Sequence, residues 1–139
     1  MPQLVEEVMT PNPVCVTAGD TLYDVARCMK QENIGPVIVT QDHTVCGIVT
    51  DRDIVVRTIA EGKDPKLTKV GDICSKEITT IEKGEPIEEA VLLMRRNAIR
   101  RLPVVDDEKP IGIVSIGDLA QDRDPESALA EISTAPPNK

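Results

Sequence analysis

The chain has 139 residues, is 40% apolar, and carries a net charge of −8 from 24 acids against 16 bases. Its length suits one compact unit, and the core must be Val, Ile and Leu because Tyr23 is the only aromatic residue. The acidity opposes attraction to polyanions and the missing rings remove platforms for stacked bases, so a nucleic-acid partner is disfavoured.

Met1-Pro2-Gln3-Leu4 lacks the basic and long apolar stretches of a signal peptide, and no run approaches the ~18 apolar residues of a membrane span. The expectation is a soluble, cytoplasmic protein with no membrane partner. Pro13–Val16 reads as a short strand. Asp20 is the expected N-cap of a helix whose face is Leu22, Val25, Ala26 and Met29, with Gly35 as its stop. Val37–Val39 and Val45–Val49 are apolar runs around the polar turn Gln41-Asp42-His43-Thr44, a hairpin signal. A further helix begins near Asp51 and runs to Gly62.

Lys63-Asp64-Pro65-Lys66 is a polar, proline-broken linker. Beyond it the order recurs. Pro86 is placed for a first helical turn, Ile87, Ala90, Val91 and Met94 form the stripe, and Leu102–Val105 with Ile111–Val114 make the hairpin. Asp124-Pro125-Glu126 opens an expected short helix carrying Leu129 and Ile132, followed by an expected disordered tail, Ala135–Lys139. Cys15, Cys28, Cys46 and Cys74 form no Cys-x-x-Cys pair, and His43 sits in a turn. Zinc ligation is therefore disfavoured, and the cysteines read as small buried residues on strands and a helix in a reducing compartment.

The recurrence is a true internal repeat. Shifted by 65 residues without a gap, Val5–Ile59 lies over Val70–Asp124 with ten identities, among them Gly19/Gly84, Met29/Met94, Gly47/Gly112 and Asp53/Asp118. A long period occurring twice points to two small domains about a pseudo-two-fold axis, not to a solenoid. Each half, at roughly 55 to 60 residues, is marginal alone, so the halves are expected to share a core.

One chemical pattern closes each copy: Gly47-Ile48-Val49-Thr50-Asp51-Arg52-Asp53 and Gly112-Ile113-Val114-Ser115-Ile116-Gly117-Asp118. As structure, Thr50 and Ser115 are N-caps and the acids three residues later approximate capping boxes. As function, the same helix start offers N–H groups and partial positive charge to phosphate, with the hydroxyl as a further donor. Asp53 or Asp118 would repel phosphate but suits a pair of ribose hydroxyls. Arg95, Arg96, Arg100 and Arg101 are a local basic cluster able to hold a small anion.

These motifs, with Val8-Met9-Thr10-Pro11, Ile34-Gly35 and Arg101-Leu102-Pro103-Val104-Val105-Asp106, resemble a tandem pair of cystathionine-β-synthase-type (CBS) domains, a Bateman module, over about Val5 to Arg123. The resemblance implies an α/β fold of two pseudo-two-fold-related β-α-β-β-α domains packed sheet against sheet. The expected boundaries are residues 1–62, a linker at 63–69, residues 70–123, and a tail at 124–139. It also implies clefts for adenosine-containing ligands (AMP, ADP, ATP or S-adenosylmethionine) as regulatory ligands with no obligatory cofactor. Asp53 and Asp118 would hold ribose, Thr50 and Ser115 phosphate, and residues around Ile34–Val37 and Ile99–Leu102 adenine. A homodimer and a separate protein target complete the picture of an energy sensor.

The two copies differ. Gly35-Pro36-Val37-Ile38 stands where the second copy has Arg100-Arg101-Leu102-Pro103, and Asp51-Arg52 where it has Ile116-Gly117. The sites are therefore expected to be unequal, with Arg100 and Arg101 favouring phosphate in the second and Arg52 alone beside Thr50 in the first. No nucleophile–base pair or paired acid–base carboxylates can be argued, so no catalysis is expected. The competing reading is a structural or dimerisation module whose motifs are caps only.

Overall fold

The computed structural model describes residues 3–74 and 78–123. In chain order these form α1 (Val5–Val8), β1 (Thr10–Pro11), β2 (Cys15–Thr17), α2 (Leu22–Glu32), β3 (Val37–Gln41), β4 (Thr44–Val49) and α3 (Asp51–Ile54), which runs into a π-helical turn at Val55–Ile59. Then follow α4 (Val70–Ile73), β5 (Ile81–Glu82), α5 (Ile87–Asn97), β6 (Arg101–Asp106), β7 (Lys109–Ser115) and α6 (Ile116–Arg123). The expected strand–helix–strand–strand–helix order holds in both copies. The helix expected at Asp124 and the tail lie outside the described residues.

The chain divides into two compact units, Val14–Ile78 and Met1–Pro13 with Thr79–Lys139. In the first, β2 pairs parallel with β3 and β3 antiparallel with β4, in the order β2-β3-β4. In the second, β5 pairs parallel with β6, β6 antiparallel with β7, and β1 adds to the free edge of β7, giving β1-β7-β6-β5. The β3–β4 register shifts after Val39, and the β6–β7 register shifts at the equivalent place after Val104. Both hairpins close on two residues with positive φ, Asp42-His43 and Asp107-Glu108, the backbone that matches strand twist in a tight hairpin.

The two repeats were expected to share a core, and among the described residues two apolar clusters, one per unit, each mix the two repeats. Leu22, Val25, Val37, Val39 and Val49 of the first copy pack with Val70, Ile73 and Cys74. Ile81, Ile87, Leu102, Val104 and Val114 of the second pack with Val5. The backbone explains the exchange. A helix leaves its first N–H groups without intrahelical partners. In α2 those of Leu22 and Tyr23 donate to the Thr68 and Pro65 carbonyls, at 2.9 and 3.0 Å. In α5 the Ile87 N–H donates to the Gln3 carbonyl at 3.0 Å, the same position one repeat apart. The segment leading each repeat thus caps and covers the other repeat's helix, and the polar linker is pinned rather than free.

Several local expectations shift. Thr21, not Asp20, caps α2, its Oγ1 accepting from the Asp24 N–H at 3.2 Å. Asn33 ends that helix in the left-handed region (φ 56°), two residues before Gly35. Pro86 is the extended N-cap of α5 rather than a residue of its first turn. Ala26 faces solvent. Cys15 is exposed, Cys28 and Cys46 are half-buried and Cys74 is buried, so only Cys74 fits the buried reading. Desolvation of the Cys15 thiol still pushes its pKa above the ordinary value.

Candidate functional site

Both recurrent turns are built by the same local physics. Val49 is buried in the sheet, and Thr50 leaves the strand with extended backbone to cap α3. The Thr50 N–H donates to Asp53 Oδ2 at 2.9 Å, and the Asp53 N–H donates back to Thr50 Oγ1 at 3.2 Å. The Ser115 N–H donates to Asp118 Oδ2 at 2.9 Å, and the Asp118 N–H to Ser115 Oγ at 3.2 Å. Each is a complete reciprocal capping box. Capping therefore accounts for each hydroxyl and for one carboxylate oxygen. The other oxygen, Oδ1, separates the two sites.

Asp53 Oδ1 lies 3.9 Å from Arg57 Nε, one helical turn on, and Arg57 Nη1 also donates to the Ile73 carbonyl at 3.0 Å. Asp118 Oδ1 has no partner among the described residues. The equivalent of Arg57 in the second copy is Asp122.

The helix starts differ as well. At α3, Asp51 Oδ1 accepts the Arg52 N–H at 3.0 Å, and its carboxylate lies over Gly35, where a Cβ would stand 3.2 Å from Oδ1. A carboxylate there already compensates the positive end of the helix and opposes a second anion. Ile116 replaces it at α6, with its N–H donating to the Arg100 carbonyl at 2.9 Å. Arg101 stands directly across β6–β7 from Ser115. Since Leu102, Val104 and Val114 point into the core, strand alternation sends Arg101 and Ser115 together to the opposite face. The backbone thus brings Arg101, Ser115 and Asp118 to one corner of one unit, with Arg100 tied in through its carbonyl.

The remaining expected residues fall elsewhere. Val37 and Leu102 are fully buried in the cores of their units, so the structure assigns both side chains to packing; Ile38 and Pro103 beside them alternate to the other face. Ile34 is half-buried against the first core. Arg52 is exposed on α3. The sequence reading missed one contributor, Arg57 as the partner of Asp53, whose signal was an Asp–Arg spacing of four on a helix. Among the described residues, no group of three or more His, Cys, Asp and Glu side chains is placed to hold a metal ion.

The family model of the CBS domain matches residues 5–58 and again 70–123. The chain belongs to the CBS family. It is a tandem CBS pair, a Bateman module, and CBS domains are regulatory, non-catalytic units. The CBS domain-containing protein YhcV of Bacillus subtilis is 39% identical over 116 residues, covering 84% of this chain and 82% of its own. A crystal structure of Hypoxic Response Protein I with two coordinated zinc ions matches at a TM-score of 0.79 and 29% identity, over 86% of this chain and 98% of that one. The CBS pair of protein MJ0100, in complex with 5′-methylthioadenosine and S-adenosyl-L-methionine, shares the fold at a TM-score of 0.76 and 23% identity, over 87% and 95% of the two chains. No helix among the described residues is long and apolar enough to cross a membrane.

Proposed function

We propose that this CBS pair is a non-catalytic regulatory module that binds an adenosine-containing ligand carrying phosphate (AMP, ADP or ATP) at the Ser115–Asp118 corner. The observation that carries this reading is the Asp118 carboxylate, held rigid by its capping box through Oδ2 while Oδ1 has no partner among the described residues. A fixed acceptor of this kind suits a ribose hydroxyl. Arg101, in register with Ser115, supplies charge for phosphate, and Ile116 adds no opposing acid. The Thr50–Asp53 site is the weaker one, since Arg57 lies beside the second Asp53 oxygen and Asp51 holds the helix start. It tolerates an adenosyl ligand without phosphate, such as S-adenosylmethionine. That the MJ0100 pair holds adenosyl compounds supports the ligand class only as far as the shared fold does.

The module acts in the cytoplasm as a homodimer and signals to a separate protein, because a ligand regulates only by binding two conformations unequally. The competing reading, a structural or dimerisation module, is favoured by one observation: both hydroxyl–acid motifs are complete capping boxes. Mass spectrometry of small molecules released from the purified protein, with a thermal-shift series of adenosine, AMP, ADP, ATP and S-adenosylmethionine, decides between them. The sensor reading expects a released adenosyl compound or a concentration-dependent rise in Tm. No rise with any of the five at millimolar concentration leaves the structural reading.

A further inference from the structure

Arg57 belongs to two places at once. Its Nε stands 3.9 Å from the second Asp53 oxygen, and the same side chain lines a cavity of about 400 Å³ with Glu61, Lys63, Asp72, Ile73 and Cys74. All of these residues lie in the unit Val14–Ile78. Ile73 and Cys74 are buried and give the cavity an apolar side. Two cations and two acids share the rest of its wall. Glu61, Lys63 and Asp72 have no ion-pair partner among the described residues, so these opposite charges border the cavity without pairing across it. Arg57 Nη1 donates to the Ile73 carbonyl at 3.0 Å, and a guanidinium has donors beyond those this contact and Asp53 engage.

We infer that this cavity takes the α-amino-acid head of an adenosyl thioether or sulfonium whose ribose sits on Asp53; the inference rests on the adenosyl reading of the Thr50–Asp53 site. Such a head is a zwitterion on a short apolar stem. Its carboxylate meets Arg57 and Lys63, its ammonium meets Asp72 and Glu61, and its methylenes meet Ile73 and Cys74. A guanidinium holds a carboxylate through paired, charge-assisted donors, which are stronger than neutral hydrogen bonds. A phosphate fits worse, because Glu61 and Asp72 repel an anion that brings no cation of its own, and Asp51 opposes it again at the helix start. The second copy has Asp122 in place of Arg57, so it lacks the cation that joins ribose acceptor and cavity.

Calorimetric titration of the full chain carrying Asp118→Ala, which weakens the other site, tests this with three probes. S-adenosylmethionine and S-adenosylhomocysteine both carry the head, the second without the sulfonium charge, and 5′-methylthioadenosine lacks it. The two that carry it should bind about tenfold more tightly than the third. Asp72→Asn and Lys63→Gln, both at exposed side chains outside the capping box, should remove most of that advantage and leave 5′-methylthioadenosine unchanged. In the unaltered chain, the Ile73 methyls should show a nuclear Overhauser contact to the methylenes of bound S-adenosylhomocysteine. Equal affinity for all three probes, equal losses in the variants, or a bound probe without that contact would overturn the inference and leave the adenosyl reading of Asp53 standing. Binding of none of the three overturns both.

Discussion

Among single residues, Thr58 stands out because it is fully buried in the π-helical turn and its Oγ1 has no partner among the described residues. In an ordinary helix a threonine hydroxyl donates to the carbonyl four residues back. Here the backbone runs instead with five-residue spacing: the Ala60 N–H donates to the Val55 carbonyl and the Lys63 N–H to the Thr58 carbonyl, both at 2.9 Å. Removing an unsatisfied buried hydroxyl while keeping the shape should help. Thr58→Val should stabilise the chain by about 1 kcal/mol, read as a higher urea midpoint at unchanged slope. A loss of similar size would show that the hydroxyl is bonded. Nothing in Val55-Val56-Arg57-Thr58-Ile59 announces a π turn, since an extra residue per turn leaves no periodicity in five residues. The caps were legible, because a hydroxyl residue with an acid three positions later has one local use whatever surrounds it.

Among elements, the two long helices end at equivalent positions with different fitness. Asn33 closes α2 and Ala98 closes α5, both in the left-handed region, at φ of 56° and 52°. Asn tolerates that backbone, whereas Ala meets its Cβ penalty there. Ala98→Gly should therefore stabilise by roughly 0.5 to 1 kcal/mol, seen as a higher Tm, while Asn33→Ala should destabilise. Equal and negligible effects would contradict the backbone assignment. The helices and hairpins were legible because their apolar spacing is sustained. Four-residue α1 and α4 were not, being too short to show a period, and neither was β1 of two residues. Their role is tertiary. Gly112 shows it: a Cβ there would run into the Met9 sulfur and stand 2.9 Å from the Thr10 carbonyl oxygen, so the glycine is what lets β1 lie along β7.

For the whole molecule, the interleaving of repeats makes the linker the wrong place to cut. Residues 1–64 lack Val70, Ile73 and Cys74 from their core, and residues 65–139 lack Val5 and the Gln3 carbonyl that receives the Ile87 N–H. Neither fragment should show a cooperative thermal transition by circular dichroism, and a sharp transition in either would contradict the exchange. The repeat itself was legible, because identities at one fixed shift need no structure to be counted. Which unit each leading segment joins was not, since that is settled by contacts distant in sequence. Asp51 and Ile116 were legible as a difference at the two helix starts. That the Asp51 carboxylate accepts the Arg52 N–H and lies over Gly35 was not, since it depends on how the loop before β3 folds back. The central claim is that the Ser115–Asp118 corner holds ribose and Arg101 holds phosphate. Calorimetric titration of Arg101→Ala and Asp118→Ala with adenosine, AMP and ATP tests it most directly. Arg101→Ala should weaken AMP and ATP by about 1.5 to 3 kcal/mol, roughly ten- to a hundred-fold, and spare adenosine. Asp118→Ala should weaken all three, and equal losses for adenosine and ATP in Arg101→Ala would contradict the account.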